Sequence, residues 1–397
     1  MDYYKDINLW TLNGEPLNVT ENNEYLGLVV SGIDEERKNV DKNIESARKM
    51  LMSLMGNIFS YKCKLSPTVL HHTWSVFIHP VLRSGLSSLP VRPPIYRTLT
   101  RFHLKVLRGI LKLSSRSPIA PLYFLLGELP CQAYLHMDIL SLFWSVWANP
   151  ETRIHTIVKY LLMMSDSSSL TWAAHLKIIC MLYNLPDPLY LMNTVPWPSD
   201  SWKSMYKTRI LAYYEALWRA KAASNSRIPF LNVQITGLTG KPHAILSGIL
   251  TTQDVCKSRI HIKMLAGDYP CQAYIDSDNP YCHLCKSVGP GNLNQSEDIV
   301  HILTACRSTT DTRSGLLPTL LTSIAKYFPI NDILNFPTQT QLTQFILDPS
   351  SINLPPKTRI NPDHPGFPPV LATCRNYCFT MHKERTRQLK QLKVRQK

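Results

Sequence analysis

Three cysteines and one histidine in the stretch CHLCKSVGPGNLNQSEDIVHILTAC, residues 282–306, have the types and the spacing of metal ligands. Cys282 and Cys285 form a Cys-x2-Cys pair, in which a tight turn lets two thiolates converge on one ion. His301 and Cys306 follow with four residues between them, in or just after a short helical run. Four such ligands close a tetrahedron and leave no position open for water, so they indicate a structural metal site and not a catalytic one.

Zn²⁺ is the expected ion, because it imposes no directional preference and because thiolate and imidazole are its usual ligands. Residues 289–291 would reverse the chain between the two ligand pairs, and Ser296 or Glu297 would open the following helix. His283 competes for a ligand position, but a ligand inside the Cys-x2-Cys turn would crowd the ion. Ten cysteines with one tight cluster indicate buried thiols plus a metal site, not a disulfide framework; chance cysteines are the alternative explanation.

A second candidate site is a row of cations in IYRTLTRFHLKVLRGILKL, residues 95–113. Its members recur at steps of four, four, three and four residues and are Arg97, Arg101, Lys105, Arg108 and Lys112. Apolar residues from Ile95 to Leu113 recur with the same period on the opposite side, so one helix would bury one face and present the cations on the other. Such a row fits a row of phosphates and predicts a nucleic-acid-binding surface; a merely solvated face is the alternative.

The charge balance of the chain favours the same class of partner. Its 397 residues include 43 Lys+Arg and 28 Asp+Glu, for a net charge of +15, and polyanions such as RNA, DNA or an anionic membrane surface lead the list of partners for such a protein. The first residues carry no secretory signal, and the longest apolar runs are about half of the ~20 residues that a membrane span needs. The sequence therefore predicts an intracellular protein, in the nucleus or cytoplasm, without a membrane span.

No catalytic centre is recognisable in the sequence. It contains no Asp-Asp pair, no Gly-rich phosphate loop and no Gly-x-Ser-x-Gly motif. The common metal-carboxylate, P-loop and hydrolase sites are therefore unsupported, no residue is predicted to be catalytic, and no small-molecule substrate is predicted.

The elements that position these residues are predicted to be mainly helical. LWTLNGEPLNVTENNEYLGLVVSG contains an Asn13-Gly14 turn and a second strand-like run from Tyr25 to Val30, which predict a short β-hairpin region. From Asp34 onward apolar residues recur at helical spacing, and proline-rich breaks separate similar helices. The apolar stripe of the first helix is predicted to comprise Val40, Ile44, Ala47, Leu51, Leu54 and Ile58.

The C-terminal part is predicted to lack a regular fold over much of its length. Seven prolines in DPSSINLPPKTRINPDHPGFPP predict an extended linker, and KERTRQLKQLKVRQK predicts a basic tail. The sequence thus predicts a mainly α protein with four consecutive parts. These are a β-hairpin region (1–32), a helical array (33–245), a Cys-Cys-His-Cys zinc-binding module (246–320), and a helical segment with the Pro-rich linker and the basic tail (321–397).

Six pieces of the chain, taken in order, carry a likeness to a known family. They are NEYLGLVVSG, DKNIESARKMLMSLMGNIF, LHHTWSVFIHPVLRSGL, LTRFHLKVLRGILKLSSRSPIAPLYFLLGELP, KMLAGDYPCQ and the cysteine module, and they cover nearly all of residues 10–320. In this order they resemble the C-terminal half of a non-LTR retrotransposon reverse transcriptase, with EYLG, LLGELP and the cysteine module the most specific. The resemblance implies that the Tyr-Leu-Gly strand closes a polymerase palm and that the following helices form a thumb-like array that grips template and primer.

The resemblance also assigns residues. Cys282, Cys285, His301 and Cys306 match the zinc-type ligands of the family. Glu297 and Asp298 match the acidic pair before the histidine, and Arg313 matches a basic residue after the last cysteine. The family's catalytic Asp-Asp motif lies upstream of the Tyr-Leu-Gly strand, and this chain begins too late to contain it, so the resemblance implies a fragment without polymerase activity whose N-terminal hairpin is poorly supported.

Two functions from different classes are therefore compatible with the sequence. The first is a nucleic-acid-binding fragment of a retroelement RNA-directed DNA polymerase, a thumb plus a zinc module, with a template–primer or target DNA as its partner. The alternative is a zinc-stabilised helical protein-interaction module whose basic faces contact other proteins. Salt dependence distinguishes the two, because binding to phosphates weakens steeply with added salt.

Overall fold

The structure is a computed structural model and describes residues 11–12, 15–16, 22–25, 27–31, 34–56, 58, 63–90, 92–166, 169–233, 237–238, 240–288, 295–327, 338–350 and 362–395. Over these ranges the fold is mainly helical, which confirms the predicted class. The strands are β1 (Thr11–Leu12), β2 (Glu15–Pro16), β3 (Asn22–Tyr25) and β4 (Leu28–Ser31). The α-helices are α1 (Glu35–Met55), α2 (Pro67–Thr73), α3 (His79–Arg83), α4 (Pro93–Leu111), α5 (Ala120–Leu126), α6 (Cys131–Trp147), α7 (Arg153–Met164), α8 (Trp172–Leu182), α9 (Pro188–Leu191), α10 (Ser199–Ala223), α11 (Thr252–Leu265), α12 (Gln272–Ile275), α13 (His283–Val288), α14 (Thr310–Ala325), α15 (Gln339–Leu347) and α16 (Phe367–Arg395).

The chain divides into two compact units that are interleaved in sequence. Unit 1 comprises Met1–Leu51, Phe77–Thr100 and Gln132–Tyr206, and unit 2 comprises Met52–Val76, Arg101–Cys131 and Lys207–Lys397. Boundaries between them fall inside α1 and α4. The four consecutive parts predicted from the sequence stay a prediction, because hydrophobic periodicity shows where helices lie and not which helices pack together.

Two short antiparallel pairs form the N-terminal part of unit 1. β1 pairs with β2 and β3 pairs with β4. The predicted Asn13-Gly14 turn lies outside the described residues. The prediction of one strand-like run from Tyr25 to Val30 is wrong, because the chain reverses at Gly27, whose φ of +83° lies in the left-handed region that glycine adopts without strain.

The β3–β4 hairpin contacts the helix that follows it, but its residues 23–25 and 27–31 are exposed or only half-buried, so its poor support stays a prediction. The side chain of Asn39 in α1 accepts a hydrogen bond from the backbone N–H of Val29 and donates one to its carbonyl, each at 2.8 Å. Leu28 packs against Gly85, where a Cβ atom would overlap the leucine side chain. The amide of Asn39 thus satisfies the edge of β4 as a neighbouring strand would.

Helix α1 follows the predicted stripe with one correction. Its buried positions include Val40, Ile44, Ala47 and Leu51. Leu54 is 49% exposed, and Met55 takes the buried position, because a stripe at 3.6 residues per turn moves to the next residue after several turns. Ile58 is buried beyond the end of the helix.

Aromatic side chains form the centre of unit 1. The rings of Trp147 and Trp202 lie 5.9 Å apart and nearly perpendicular, and Phe143 stacks on Trp147 at 6.1 Å. Each indole is also hydrogen-bonded: Trp202 Nε1 donates to the carbonyl of Leu140 at 3.0 Å, and Trp147 Nε1 donates to that of Thr194 at 3.2 Å. Both indole N–H groups are therefore paired, so burying these two rings does not carry the energetic cost of an unpaired donor.

A buried hydrogen-bonded set of histidines and tyrosines also lies in unit 1. The ring of His136 contacts the hydroxyl of Tyr183 through Nδ1 at 2.8 Å and that of Tyr96 through Nε2 at 3.0 Å. The same Tyr96 hydroxyl lies 3.1 Å from Nε2 of His175. Burial lowers the pKa of His136 to about 3 and that of His175 to about 4, so both rings are neutral at neutral pH.

We expect this set to make the stability of unit 1 fall in mild acid. The unfolded chain takes up protons at a histidine pKa near 6.5, whereas folded His136 and His175 do so only near pH 3–4, so the stability present above pH 6.5 is lost as the pH falls. The loss at pH 5 should be about 2 kcal/mol for each histidine. Near-UV circular dichroism during denaturant unfolding measures it. A His136→Gln/His175→Gln variant should show a flatter pH profile than wild type, while His72→Gln, at an exposed position, should keep the wild-type profile.

The C-terminal basic segment is helical and packed, so the prediction of a basic tail is wrong. It forms the end of α16, which packs against α11, α14 and α15 in unit 2. Arg375 of α16 is buried and donates hydrogen bonds to the carbonyls of Ile245 at 2.7 Å and Gly248 at 3.3 Å. Prolines 368 and 369, assigned to the linker by composition, lie in the first turn of α16, where proline costs no helical hydrogen bond. Residues 351–361 of the predicted linker lie outside the described residues.

Candidate metal centre

The four sequence-predicted ligands lie together in unit 2 and form a compact group, the Cys-His cluster. One ligand atom from each of Cys282, Cys285, His301 and Cys306 lies within 4.8 Å of all the others. Sγ of Cys306 is 4.0 Å from that of Cys282 and 3.7 Å from that of Cys285, which lies 3.3 Å from Nε2 of His301. A tetrahedral ion bonded at about 2.3 Å to sulfur and about 2.0 Å to nitrogen sets the sulfur atoms roughly 3.8 Å apart. The cluster could therefore hold a metal ion.

The first two ligands are placed by a turn that is closed by backbone pairing. Cys282 immediately precedes α13, and Cys285 lies in the first turn of that helix. Tyr281 pairs with Ser296 in an isolated antiparallel bridge, and the N–H of Cys282 donates to the carbonyl of residue 295 at 3.2 Å. This bridge returns the chain to the cluster. The predicted bend at residues 289–291 lies outside the described residues.

A π-helical turn, His301–Ala305, places the other two ligands. The N–H of Cys306 donates to the carbonyl of His301 at 2.7 Å, which closes a hydrogen bond from residue i+5 to residue i. On an α-helix two residues five apart point about 140° away from each other. The wider π turn brings their side chains closer to one face, and such single π turns are common at functional sites.

Two charged residues singled out by the resemblance support this turn. Oδ1 of Asp298 accepts a hydrogen bond from the backbone N–H of His301 at 2.7 Å and so caps the turn that carries the ligand. Nη1 of Arg313 donates to the carbonyl of Cys306 at 2.9 Å. Both residues therefore position the backbone of a ligand. His283 is exposed and is not among the clustered ligands.

Helix α16 packs against the Cys-His cluster, a contact that the sequence analysis did not predict. Leu389 and Leu392 pack against the core formed by Cys282, Leu284 and Cys306. Gln388 Nε2 donates to the carbonyl of Ser308 at 2.8 Å. The leucines spaced at three in QLKQLK were the signal that could have revealed an apolar helical face in the basic segment.

A buried ion pair also joins helix α16 to the segment that precedes the ligand His301. Nε and Nη2 of Arg385 each lie 2.7 Å from Oε1 of Glu297, and the two side chains are 11% and 3% exposed. The guanidinium also lies over the ring of Tyr269, 5.7 Å from its centroid. Glu297, which the resemblance matches to an acidic pair, therefore ties the cluster to α16 and is not placed to bind the ion.

The three thiols strongly influence one another's ionisation. The contact with Cys282 lowers the pKa of the Cys306 thiol well below its ordinary value. The same contact raises the pKa of Cys282 far above its ordinary value, and burial raises that of Cys285. Ionisation of one thiol is therefore favoured, and ionisation of a second thiol is unfavourable unless a cation is present. Metal binding must therefore displace protons from the cluster.

The cation row of α4 is shorter than the sequence predicts. The side chains of Arg97, Arg101 and Lys105 are exposed. Arg108 is half-buried and donates to the hydroxyl and the carbonyl of Ser117, each at 3.2 Å.

Lys112 does not belong to the exposed row, and its assignment to it is wrong. The helix ends at Leu111, and Lys112 has a φ of +58°, which takes its side chain out of the helical register. The side chain is buried, its amine donates to the carbonyl of Ile58, and burial lowers its pKa. A periodic pattern cannot show where a helix ends, so the sequence extended the row by one residue.

A cleft of about 450 Å³ opens in unit 2 beside this row. Its lining residues are Ile58, Lys105, Arg108, Gly109, Lys112, Leu113 and Ser115. Three of the seven carry positive charge and none is acidic, so the cleft favours an anion.

All ten cysteines are free. Within the described ranges, no helix combines the length and the apolar character that crossing a bilayer demands. No protein-family model, no curated protein and no solved structure matches this chain.

Proposed function

We propose that this chain binds RNA or DNA through the basic surface of unit 2 and holds a structural Zn²⁺ in the Cys-His cluster, as the thumb and zinc module of a non-LTR retrotransposon reverse transcriptase would. The observation that carries the proposal is the exposed Arg101 together with a cleft that is lined by Lys105, Arg108 and Lys112 and by no acid. Cations arranged in this way attract successive phosphates without regard to base sequence.

Zinc fits the cluster better than other common ions. Three sulfur atoms and one imidazole nitrogen at tetrahedral spacing suit Zn²⁺, whereas Mg²⁺ and Ca²⁺ prefer oxygen ligands. Cys282, His301 and Cys306 are buried, which leaves little access for a reacting water. The ion would therefore hold the module together and would not act as a catalyst.

A second basic surface lies beside the cluster and supports the same partner. A cleft of about 420 Å³ is lined by His283, Lys286 and Lys393 together with Ser287, Leu389 and Leu392. Its cations come from α13, which carries a ligand, and from α16, which packs on the cluster. Phosphate contacts in this cleft would depend on the metal that fixes α13.

Polymerase activity is not part of the proposal. A metal-dependent polymerase needs carboxylates that hold its ions near the reacting phosphate, and the sequence contains no Asp-Asp pair. The chain would therefore bind nucleic acid without catalysing nucleotide transfer.

We expect charge reversal at Arg101 and Lys105 to weaken binding to a primer–template duplex. Both side chains are exposed and lie four residues apart on α4, so an Arg101→Glu/Lys105→Glu variant should fold normally. Losing two phosphate contacts should lower the slope of log affinity against log salt by about 1.8. Fluorescence anisotropy at several salt concentrations measures the slope, and binding should weaken for all sequences alike.

A Lys203→Glu/Lys207→Glu variant is the matched control, because it reverses two exposed lysines at the same spacing on α10. It should change the slope by less than half as much as the α4 variant. Equal affinity and slope in the folded α4 variant and in wild type would rule out binding through α4. Given nucleotides and Mg²⁺, the same samples should extend no primer.

A further inference from the structure

The basic cleft beside α4, which we call the α4 cleft, extends below the surface of unit 2. Its buried lining residues are Ile58, Gly109, Lys112 and Leu113. Its volume of about 450 Å³ lies within the range of roughly 300–1,000 Å³ that is usual for ligand sites. The α4 cleft can therefore surround one chemical group of a ligand on several sides, which a row of exposed side chains cannot do.

The cations of the α4 cleft come from the end of α4. Lys105 and Arg108 line it from the last two turns of the helix, and Lys112 lines it from the residue that follows the helix. Gly109 lies four residues after Lys105 and therefore on the same helix face. Because glycine has no side chain, this position leaves room for a ligand between the cations.

The guanidinium of Arg108 is held in one orientation by the segment after α4. Its Nε donates to the hydroxyl of Ser117 and its Nη2 donates to the carbonyl of Ser117, each at 3.2 Å. Nη1 donates to neither oxygen, and a guanidinium carries five N–H groups in one plane. An anion can therefore accept hydrogen bonds from the edge that includes Nη1 while Ser117 keeps its two contacts.

Charges around the α4 cleft also favour an anion. Burial lowers the pKa of Lys112, and the charge of Arg259 lowers it as well. Asp268 interacts electrostatically with Arg108, but its carboxylate accepts hydrogen bonds from the N–H and the hydroxyl of Ser114 and does not line the cleft. A bound anion would therefore reduce the repulsion between Lys112 and Arg259.

We infer that the α4 cleft binds a phosphate monoester at the end of a nucleic-acid strand, which rests on the proposed binding of RNA or DNA. A phosphodiester carries a single negative charge, and its strand continues in two directions, which suits the exposed Arg101. A terminal monoester carries a charge of about −1.5 to −2, and its strand continues in one direction only. It can therefore enter a cleft with buried walls and contact several cations there.

The position of Arg101 supplies a contact for the rest of the strand. Arg101 is exposed and lies one helical turn before Lys105, about 6 Å away along α4. A strand whose terminal phosphate occupies the α4 cleft can therefore place its next phosphate beside Arg101. A free nucleoside monophosphate has no second phosphate, so it should bind more weakly than the strand.

Fluorescence anisotropy of the full chain, supplied with zinc, tests the site with short DNA strands labelled on an internal base. The strands share one sequence and carry a phosphate at the 5′ end, a phosphate at the 3′ end, or no terminal phosphate. At least one phosphorylated strand should bind about tenfold more tightly than the strand without a terminal phosphate, the effect of one charge-assisted hydrogen bond. Adenosine monophosphate, used as a competitor, should bind at least about tenfold more weakly than that strand.

Three variants separate the α4 cleft from the surface charge of α4. Gly109→Met changes no charge and reduces the space of the cleft, so it should abolish the preference for a terminal phosphate. Lys105→Gln, at an exposed position, should reduce the same preference. Arg101→Gln should weaken all three strands by a similar factor and keep the preference, because Arg101 does not line the cleft. Circular dichroism establishes that each variant is folded.

The outcomes separate this inference from the proposed function. Equal affinity of wild type for all three strands would overturn the inference, and salt-dependent binding of those strands would leave the proposed function standing. A preference that survives in folded Gly109→Met and Lys105→Gln variants would also overturn it. If adenosine monophosphate binds as tightly as the phosphorylated strand, the ligand is a free nucleotide and not a strand end. If no strand binds, the proposed function fails together with the inference.

Discussion

A Cys306→Ser variant should lose nearly all bound zinc, to less than about a tenth of an ion per chain, whereas wild type should carry one. Sγ of Cys306 lies 4.0 Å from Sγ of Cys282 and 3.7 Å from Sγ of Cys285, so it is placed to bind the same ion as both. A hydroxyl in its place is a poor ligand for zinc, and the remaining three ligands leave one position to water. Because structural zinc contributes about 10–16 kcal/mol in zinc-finger peptides, the module should unfold with the loss.

Elemental analysis after gentle purification measures the zinc, and hydrogen exchange maps the unfolding. Exchange should rise in residues 282–288, in 301–306 and at the end of α16, and it should change little in the aromatic centre of unit 1. Cys256→Ser is the matched control, because Cys256 is exposed and lies outside the cluster. Full zinc content in the Cys306→Ser variant, or none in wild type, would show that the cluster is not a zinc site.

Replacing Glu297 by glutamine should destabilise unit 2 by about 3–5 kcal/mol, the usual cost of removing one partner of a buried ion pair. Arg385 would keep its charge in a site where only 11% of its side chain is exposed, and it would lose the carboxylate oxygen that both Nε and Nη2 contact at 2.7 Å. Denaturant unfolding of the zinc-loaded protein measures the loss. Zinc content should stay near one per chain, because Glu297 supports α16 and not the ion.

The neighbouring pair on α16 provides the comparison. Glu384 pairs with the exposed Arg387 one turn away, so Glu384→Gln should have a much smaller effect than Glu297→Gln. A Glu297→Leu/Arg385→Met variant removes both charges and should recover much of the lost stability, since no buried charge is left unpaired. If Glu297→Gln proves no more destabilising than Glu384→Gln, the ion pair does not hold α16 to the cluster.

The candidate ligands could be identified from the sequence because the ligands of each pair are only a few residues apart in the chain. Cys282 and Cys285 lie one turn apart, and His301 and Cys306 lie five residues apart, whatever the rest of the chain does. Helical periodicity is equally local, which is why the buried faces of α1 and α4 were found in large part. Family resemblance singled out Asp298 and Arg313, but their contacts with ligand backbones appear only in the folded chain.

The sequence by itself determined the helical class, the Cys-His cluster and the exposed cations Arg101 and Lys105. Tertiary structure decided whether each helical pattern met solvent or protein, since burial depends on neighbours far away in the chain. It buried Lys112 against Ile58, and it packed the basic segment on the cluster through Leu389. The net charge of that segment made it resemble a disordered tail. In the folded chain the buried carboxylate of Glu297, 88 residues earlier, compensates the charge of Arg385. The apolar side chains of the segment gain free energy by packing instead of remaining in water.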